Sequence, residues 1–223
     1  AIDYARNSKK QFAVKNVAFQ RGDATALMLD DNSFDFVISR LSLQIFSEPE
    51  LILRELVRIT KPGGRIYILS EEYDTIVGYP ENDPIRETYR LAAQYGADMG
   101  MDVQQGKKLV NMLSDVHLDD IMVDHIMVDT ENADREAFAH VIESWREFVV
   151  DSMGSELELT PEQKETLRLG YDAQLRTIRN PHGFTTWGIK FIPSGLGALL
   201  SCLFPLFLVL FNFLLFKKRI HSK

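Results

Sequence analysis

The order of apolar and polar positions predicts alternating strands and helices in the first third of the chain. Two short apolar runs bounded by turn residues, 16–22 and 33–39, have the length and flanks of strands. The run 48–60 repeats its apolar residues at helical spacing, and the turn around Pro62 ends it before a third strand, 65–70. Strand, helix and strand joined by short links predict a βαβ unit with parallel strands.

Polar residues at helix starts refine this picture. Ser47 followed by Glu50, and Thr160 followed by Gln163, have the spacing of capping boxes. Asp83 precedes a proline, which is typical of a cap followed by the first helical turn. Besides a helix end over 1–13, the other predicted elements are helices over 83–99, 106–114, 132–151 and 161–179, and strands over 120–129 and 183–192.

The end of the chain has a different pattern. Residues 194–216 contain no charged side chain, which is enough to cross a bilayer core of about 30 Å as a helix. The basic residues at 217–219 favour the cytoplasmic side, which conflicts with a cytosolic catalytic domain. A basic tip after such an anchor is tolerated in some membranes, so the orientation stays open, and we expect a membrane-anchored protein with its domain in the cytoplasm. The alternatives are a buried hairpin, or a tail that is not native and a cytoplasmic protein.

Charge and cysteine content exclude several classes of protein. The 223 residues carry a net charge of −7, and residues 1–190 hold all 32 acidic but only 21 basic residues, a net of −11. An acidic domain is poorly suited to neutralise phosphates, so we expect no nucleic-acid partner. The single cysteine, Cys202, excludes an intrachain disulfide and a cysteine-built zinc site. Asp124 and His125 point to opposite faces of a predicted strand, so no metal site is expected.

The carboxyl ends of two predicted strands carry the candidate binding chemistry. Open parallel sheets bind ligands at this edge. Gly22, Asp23 and Ala24 follow the first strand, and the second ends in residues 39–41, Ser-Arg-Leu. Gly22 lets a ligand approach the backbone, the Asp23 carboxylate accepts from an exocyclic amine, and the Ala24 amide donates to a ring nitrogen. Together they are suited to the edge of an adenine.

Four sequence elements in order resemble one enzyme family. They are "GDA" after a strand, "DDNSFDFVIS" as the next strand, "LQIF" after it, and "LVRITKPGGRIYI". This segment is similar to class I S-adenosylmethionine-dependent methyltransferases, most of all the small-molecule branch with the quinone-biosynthesis C-methyltransferases. The resemblance implies a Rossmann-like α/β sheet with an antiparallel last strand. It also implies S-adenosylmethionine as cofactor, contacted by Gly22, Asp23, Ala24, Ser39, Arg40 and Leu41.

The chain also departs from the family pattern. The family's glycine-rich turn and first two strands would lie before Ala1, so the resemblance implies a fragment that binds the cofactor poorly as it stands. We expect a partial methyltransferase domain over 1–192, with helical substrate-side inserts at about 71–116 and 130–182. It would be followed by the transmembrane helix 194–216 and a basic tail, 217–223.

The acceptor is a small molecule, and a lipid-like one suits the apolar tail. Tyr73, Asp74 and Tyr79 lie in the long loop after the third strand and are the substrate-facing candidates, with His140 and His182 as further candidates for a base. No catalytic residue is assigned. The alternative function is a non-catalytic, membrane-tethered interaction module. A nicotinamide-dependent oxidoreductase is disfavoured, because the quoted elements are not typical of that family.

Overall fold

The computed structural model describes residues 2–13 and 15–190, which form a five-stranded sheet with packed helices. The helices are α1 (Ile2–Gln11), α2 (Pro49–Ile59), α3 (Asn82–Asp98), α4 (Leu109–Asp115), α5 (Arg135–Arg146), α6 (Gly154–Glu156) and α7 (Pro161–Arg179). The strands are β1 (Phe34–Arg40), β2 (Thr60–Glu71), β3 (Gly78–Tyr79), β4 (His125–Asp129) and β5 (Phe184–Lys190). A π-helical segment, Glu147–Met153, joins α5 to α6, and 3₁₀ turns lie at Leu43–Ile45, Tyr73–Thr75 and Gly106–Lys108.

The predicted βαβ unit is confirmed. Strands β1 and β2 pair in parallel, with Val37 opposite Ile66 and Arg40 opposite Leu69. The register shifts between Phe34 and Phe36, because residues 61–64 bulge out of β2 where Gly63 adopts a φ of +77°. The carboxyl ends of β1 and β2 therefore lie side by side, which is where a ligand site is expected.

The antiparallel last strand is also confirmed. Strand β5 pairs antiparallel with β2, β3 and β4, and the sheet order is β1-β2-β5-β3 with β4 also on β5. Lys190 lies opposite Ser70 and Ile189 opposite Glu71, so the pairing of β5 with β2 involves the carboxyl end of β2. The described chain thus has the α/β Rossmann-like arrangement that the sequence predicts.

Two apolar clusters hold the elements together. Helix α2 packs on one face of β1 and β2 through Ile52, Leu53, Leu56 and Ile59, which meet Val37. The larger cluster joins α3, α5 and α7 to the sheet, and its most buried large side chains are aromatic or branched: Trp187, Tyr67, Tyr89, Tyr171, Ile85 and Ile142. The loop after β2 enters this second cluster, so the helical insert is part of the core.

One predicted helix cap is confirmed and two are wrong. Thr160 and Gln163 form a complete capping box at α7. Helix α2 is capped by Glu48 instead of Ser47, without a side-chain bond, because Pro49 occupies its first turn. Helix α3 begins at Asn82 behind Glu81, so Asp83 lies inside the first turn, where its charge faces the positive end of the helix.

The strand predicted over 16–22 is wrong. Among the described residues these form no ladder, and the nearest pairing is an isolated bridge between Asp23 and Ala26. A strand needs a neighbour for its backbone hydrogen bonds, and β1 is paired with β2 alone within this part of the chain. The strand predicted over 120–129 is shorter than expected, because only residues 125–129 reach β5.

The predicted transmembrane helix 194–216 and the basic tail lie outside the described residues. Within residues 2–13 and 15–190, no helix combines the length and apolarity that a bilayer crossing needs.

Candidate functional site

The turn at residues 22–24 presents an open polar edge. The Oδ1 atom of Asp23 accepts from the Thr25 backbone N–H at 2.9 Å and from its hydroxyl at 2.7 Å. These two bonds lower the pKa of Asp23, so the exposed carboxylate is ionised at neutral pH. Among the described residues, none donates to Asp23 Oδ2 and none accepts from the Ala24 N–H. Within the described part of the chain, no atom beyond the two flanking residues lies within 4 Å of where a Cβ would stand on Gly22. An acceptor, a donor and free space are therefore adjacent.

Helix α2 holds this turn in place. The Leu27 N–H donates to Glu55 Oε2 at 2.8 Å, and the Arg58 guanidinium donates to the carbonyls of Leu27 and Leu29. Arg58 also pairs with Glu55 and with Asp31. These bonds raise the pKa of Arg58 and lower that of Glu55, so both stay charged. The loop after the turn is thereby fastened to the face of α2.

The end of β1 is buried and conformationally unusual. Ser39, Arg40 and Leu41 are all less than a tenth exposed. The Ser39 hydroxyl lies 2.8 Å from that of Ser42, and burial lowers the pKa of Arg40, which lies on the same sheet face as Tyr67. Leu41 has a φ of +50°, which is rare for a branched residue and turns the chain out of the sheet. Its N–H donates to the Leu69 carbonyl at 2.8 Å.

Five buried polar residues around the end of β2 were missed by the sequence reasoning. Ser70, Glu71 and Glu72 are at most 2% exposed, and Gln44 from the turn after β1 and Gln105 from a later loop are equally buried. Gln44 Nε2 donates to Glu71 Oε2 at 2.7 Å, and the Glu71 N–H donates to Gln44 Oε1 at 2.8 Å. Ser70 donates to Gln105 at 3.0 Å. A sequence signal for this cluster exists, because two adjacent glutamates, Glu71 and Glu72, directly follow the apolar strand residues 66–69.

Burial changes the acid–base behaviour of Glu71. Desolvation raises its pKa to about 7, while the contacts with Gln44 and Trp187 work in the opposite direction. The Trp187 indole N–H lies close enough to favour the carboxylate, although it falls short of hydrogen-bonding geometry. The Lys107 N–H donates to the carboxylate of the neighbouring Glu72 at 2.8 Å, and the Lys107 ammonium lies 3.7 Å from that carboxylate.

A cavity of about 510 Å³ opens at the 3₁₀ turn that follows β2. Three of its lining residues are apolar or aromatic, and the other six are charged or polar: Tyr73, Ile76 and Tyr89, with Asp74, Asp83, Arg86, Glu87, Arg90 and Gln104. The rings of Tyr73 and Tyr89 meet edge to face at 5.0 Å between centroids, and both are buried. Asp74 accepts from Gln104 Nε2 at 2.6 Å and pairs with Lys107. The cavity has the size of a small-molecule site, and it combines two aromatic rings with charged and polar side chains.

The remaining candidates lie elsewhere. Tyr79 is 69% exposed on β3 and does not line this cavity. His140 is exposed on α5, with Nδ1 3.1 Å from Glu143, and His182 lies in the turn before β5. The structure therefore brings Tyr73 and Asp74 together and leaves the other three apart from them.

Comparison with known proteins identifies the amino-terminal part of the chain. The methyltransferase domain family matches residues 1–68. The demethylmenaquinone methyltransferase of Renibacterium salmoninarum is 38% identical over 74 residues, which is 33% of this chain and 29% of that protein. The uncharacterized protein YafE of Escherichia coli is 37% identical over 68 residues, or 30% of this chain and 33% of that protein.

The matched stretch spans about a third of the length of these relatives. Among solved structures, the YcgJ protein of Bacillus subtilis has a TM-score of 0.48 and 18% identity, and covers 85% of this chain and 76% of that one. The motifs around Asp23 and Ser39, the parallel β1–α2–β2 unit and the family match over residues 1–68 agree. The family match covers residues 1–68 of the 223, and this part of the chain is similar to methyltransferases.

Proposed function

We propose that this chain takes part in S-adenosylmethionine-dependent methyl transfer to a small molecule. The observation that carries the proposal is the open edge at Asp23 and Ala24, which lies inside the segment that matches the family. The free Oδ2 atom and the free Ala24 N–H suit the amine and ring nitrogen of an adenine, and the space in front of Gly22 admits the ring.

The cofactor contacts extend from this edge to the end of β1. Ser39, Arg40 and Leu41 would line the methionine side, at the carboxyl edge where open sheets bind ligands. The left-handed conformation of Leu41 supports this placement, since strained backbone is concentrated at ligand sites. When bound, S-adenosylmethionine would supply a methyl group on a positively charged sulfonium.

We place the acceptor in the cavity lined by Tyr73 and Asp74. Tyr73, Ile76 and Tyr89 would contact an apolar part of a small acceptor, and the charged rim would contact its polar part. The name of the similar demethylmenaquinone methyltransferases refers to a quinone acceptor. Because the bound cofactor would supply the methyl group, the residues that line the cavity would orient the acceptor and exclude water. Tyr79 stays a prediction, because its side chain lies outside this cavity.

The test is cofactor binding by the full product of the gene that encodes this chain, with tritiated S-adenosylmethionine. We expect Asp23→Ala to weaken binding about tenfold, since it removes one charged hydrogen bond. Asp30→Ala is the matched control, because Asp30 is exposed in the same loop and its carboxylate bonds no described residue. Equal binding by Asp23→Ala and the unaltered protein would overturn the proposed site.

A membrane tether is a second proposal, carried by the 23 uncharged positions of residues 194–216. This segment lies outside the described residues, so the proposal rests on the sequence. The test compares the membrane fraction of the whole chain with that of a chain ending at residue 190. Tethering without cofactor binding by the full gene product would favour the non-catalytic interaction module.

A further inference from the structure

The carboxyl ends of β1 and β2 are joined by one buried side-chain pair. Gln44 belongs to the 3₁₀ turn that follows the proposed cofactor segment, and Glu71 is the last residue of β2. The glutamine amide uses both of its ends on Glu71, giving one bond to the carboxylate and taking one from the backbone N–H. The two partners are 2% and 1% exposed. These two hydrogen bonds fix the turn after β1 to the end of β2.

The same glutamine reaches a third segment. The Asp102 N–H donates to the Gln44 carbonyl at 2.7 Å, and the Tyr73 N–H donates to the Val103 carbonyl at 3.1 Å. The loop with Asp102 and Val103 also supplies Gln104 to the rim of the cavity. Gln44 and Glu71 thus connect the end of β1 with the wall of the proposed acceptor cavity.

The surroundings of Glu71 are aromatic and contain no balancing cation among the described residues. The groups that face it are Gln44, Tyr73 from the 3₁₀ turn after β2, Tyr89 from α3, Tyr171 from α7 and Trp187 from β5. The neighbouring carboxylate, Glu72, is turned to Lys107. An ionised Glu71 is therefore a buried charge supported by hydrogen bonds alone, which is costly in an apolar environment.

We propose that Gln44 and Glu71 form an ionisable clamp that positions the end of β1 against the wall of the acceptor cavity. The role of this clamp in methyl transfer rests on the proposed function. The clamp itself rests only on the contacts of Gln44 and Glu71. The protonated clamp is the closed form, because a neutral Glu71 is compatible with its apolar surroundings. Ionisation loosens the turn after β1, since a buried charge favours entry of water.

Tryptophan fluorescence tests the clamp in the chain of 223 residues. Trp187 faces Glu71, and Trp145 stacks on Trp187 at 6.0 Å between ring centroids. We expect a fluorescence transition with a midpoint near pH 7 that is absent in Glu71→Gln. Glu72→Gln is the matched control, because it removes the same charge at the next buried position and is expected to keep the transition. A transition that persists in Glu71→Gln would overturn the clamp.

Amide hydrogen exchange tests the connection to the loops. Removing the Gln44 side chain in Gln44→Ala is expected to speed exchange of the Asp102 N–H about tenfold, the equivalent of one hydrogen bond. Gln105→Ala removes an equally buried amide that bonds Ser70 instead, and it leaves that exchange unchanged. Equal effects of the two variants would contradict the proposal. The exchanged pair, Gln44→Glu with Glu71→Gln, restores protection if the clamp is real.

Cofactor binding by the full gene product separates the two proposals. We expect its affinity for S-adenosylmethionine to fall severalfold as pH rises through about 7, and Glu71→Gln to remove this dependence. Binding that has the same pH dependence in Glu71→Gln would overturn the positioning role. If the unaltered protein does not bind at any pH, the proposed function fails, and the clamp is judged by fluorescence and exchange.

Discussion

At the scale of single residues, the site combines exposed and buried polar groups that are stabilised in different ways. Asp23 keeps its charge through two local bonds from Thr25 in water. Glu71 is enclosed by aromatic rings and depends on Gln44, a residue 27 positions away in sequence. The exposed group is suited to meet a ligand, and the buried one is suited to hold the backbone that meets it.

Gly170 shows how closely two helices approach at this scale. A Cβ atom there would lie 1.8 Å from Thr88 Oγ1 and 2.5 Å from the Pro84 carbonyl, where α7 crosses α3. We expect Gly170→Ala to destabilise the chain by about 1–3 kcal/mol, because the clash exceeds the gain in helix propensity. Urea unfolding measures the difference.

Gly96→Ala is the control for this prediction. A Cβ at Gly96 would meet only Met101 Cβ at 3.7 Å, which is an ordinary contact. This substitution, in the last turn of α3, should leave the free energy of unfolding unchanged or raise it by up to about 1 kcal/mol. If Gly170→Ala had the same free energy of unfolding as the original chain, α3 and α7 would have to lie further apart than the structure shows.

At the scale of elements, Arg58 fastens the loop with Asp23 to α2. Its guanidinium bonds two backbone carbonyls and two carboxylates at once, which needs a planar fork of donors. We expect Arg58→Lys to cost about 1–2 kcal/mol of unfolding free energy, because an ammonium satisfies only part of this set. Arg54→Lys, on the exposed face of the same helix, should change it little.

The same loop gives that prediction a second measurement. The Leu27 N–H donates to Glu55, and Glu55 is oriented by Arg58. Exchange of the Leu27 N–H should therefore speed up in Arg58→Lys and not in Arg54→Lys. Unchanged exchange would show that Glu55 holds the loop without help from the arginine.

The elements also show which parts of the fold can be predicted from sequence. The β1–α2–β2 unit and the capping box at Thr160 depend on patterns within a few residues, and both were predicted correctly. The strand over 16–22 failed because an apolar run needs a partner that local pattern cannot supply. The pair of Gln44 and Glu71 was invisible for the same reason, since it depends on two strand ends meeting in space.

At the scale of the whole molecule, ionisation couples stability to pH in two opposite directions. Several carboxylates at the surface, such as Glu81, Glu87 and Glu143, have a lowered pKa because arginines bond them. Their contribution is present at neutral pH and is lost as pH falls through the lowered pKa values. Glu71 has a raised pKa, so its contribution is present below the ordinary value of 4.5 and is lost as pH rises through about 7.

A comparison with Glu71→Gln isolates the second effect from the first. From pH 5 to about pH 7 the folded chain keeps a proton on Glu71 that the unfolded chain has released, so stability falls as pH rises and levels off above about pH 7. For a carboxyl group whose pKa moves from 4.5 to about 7, the expected loss is about 2–3 kcal/mol. Urea unfolding at both pH values gives the difference in unfolding free energy between Glu71→Gln and the original chain. We expect this difference to favour the variant by about 2–3 kcal/mol more at pH 8 than at pH 5. If the two proteins lose the same unfolding free energy between pH 5 and pH 8, Glu71 has its ordinary pKa. That would require water or a cation beside Glu71 in the folded protein.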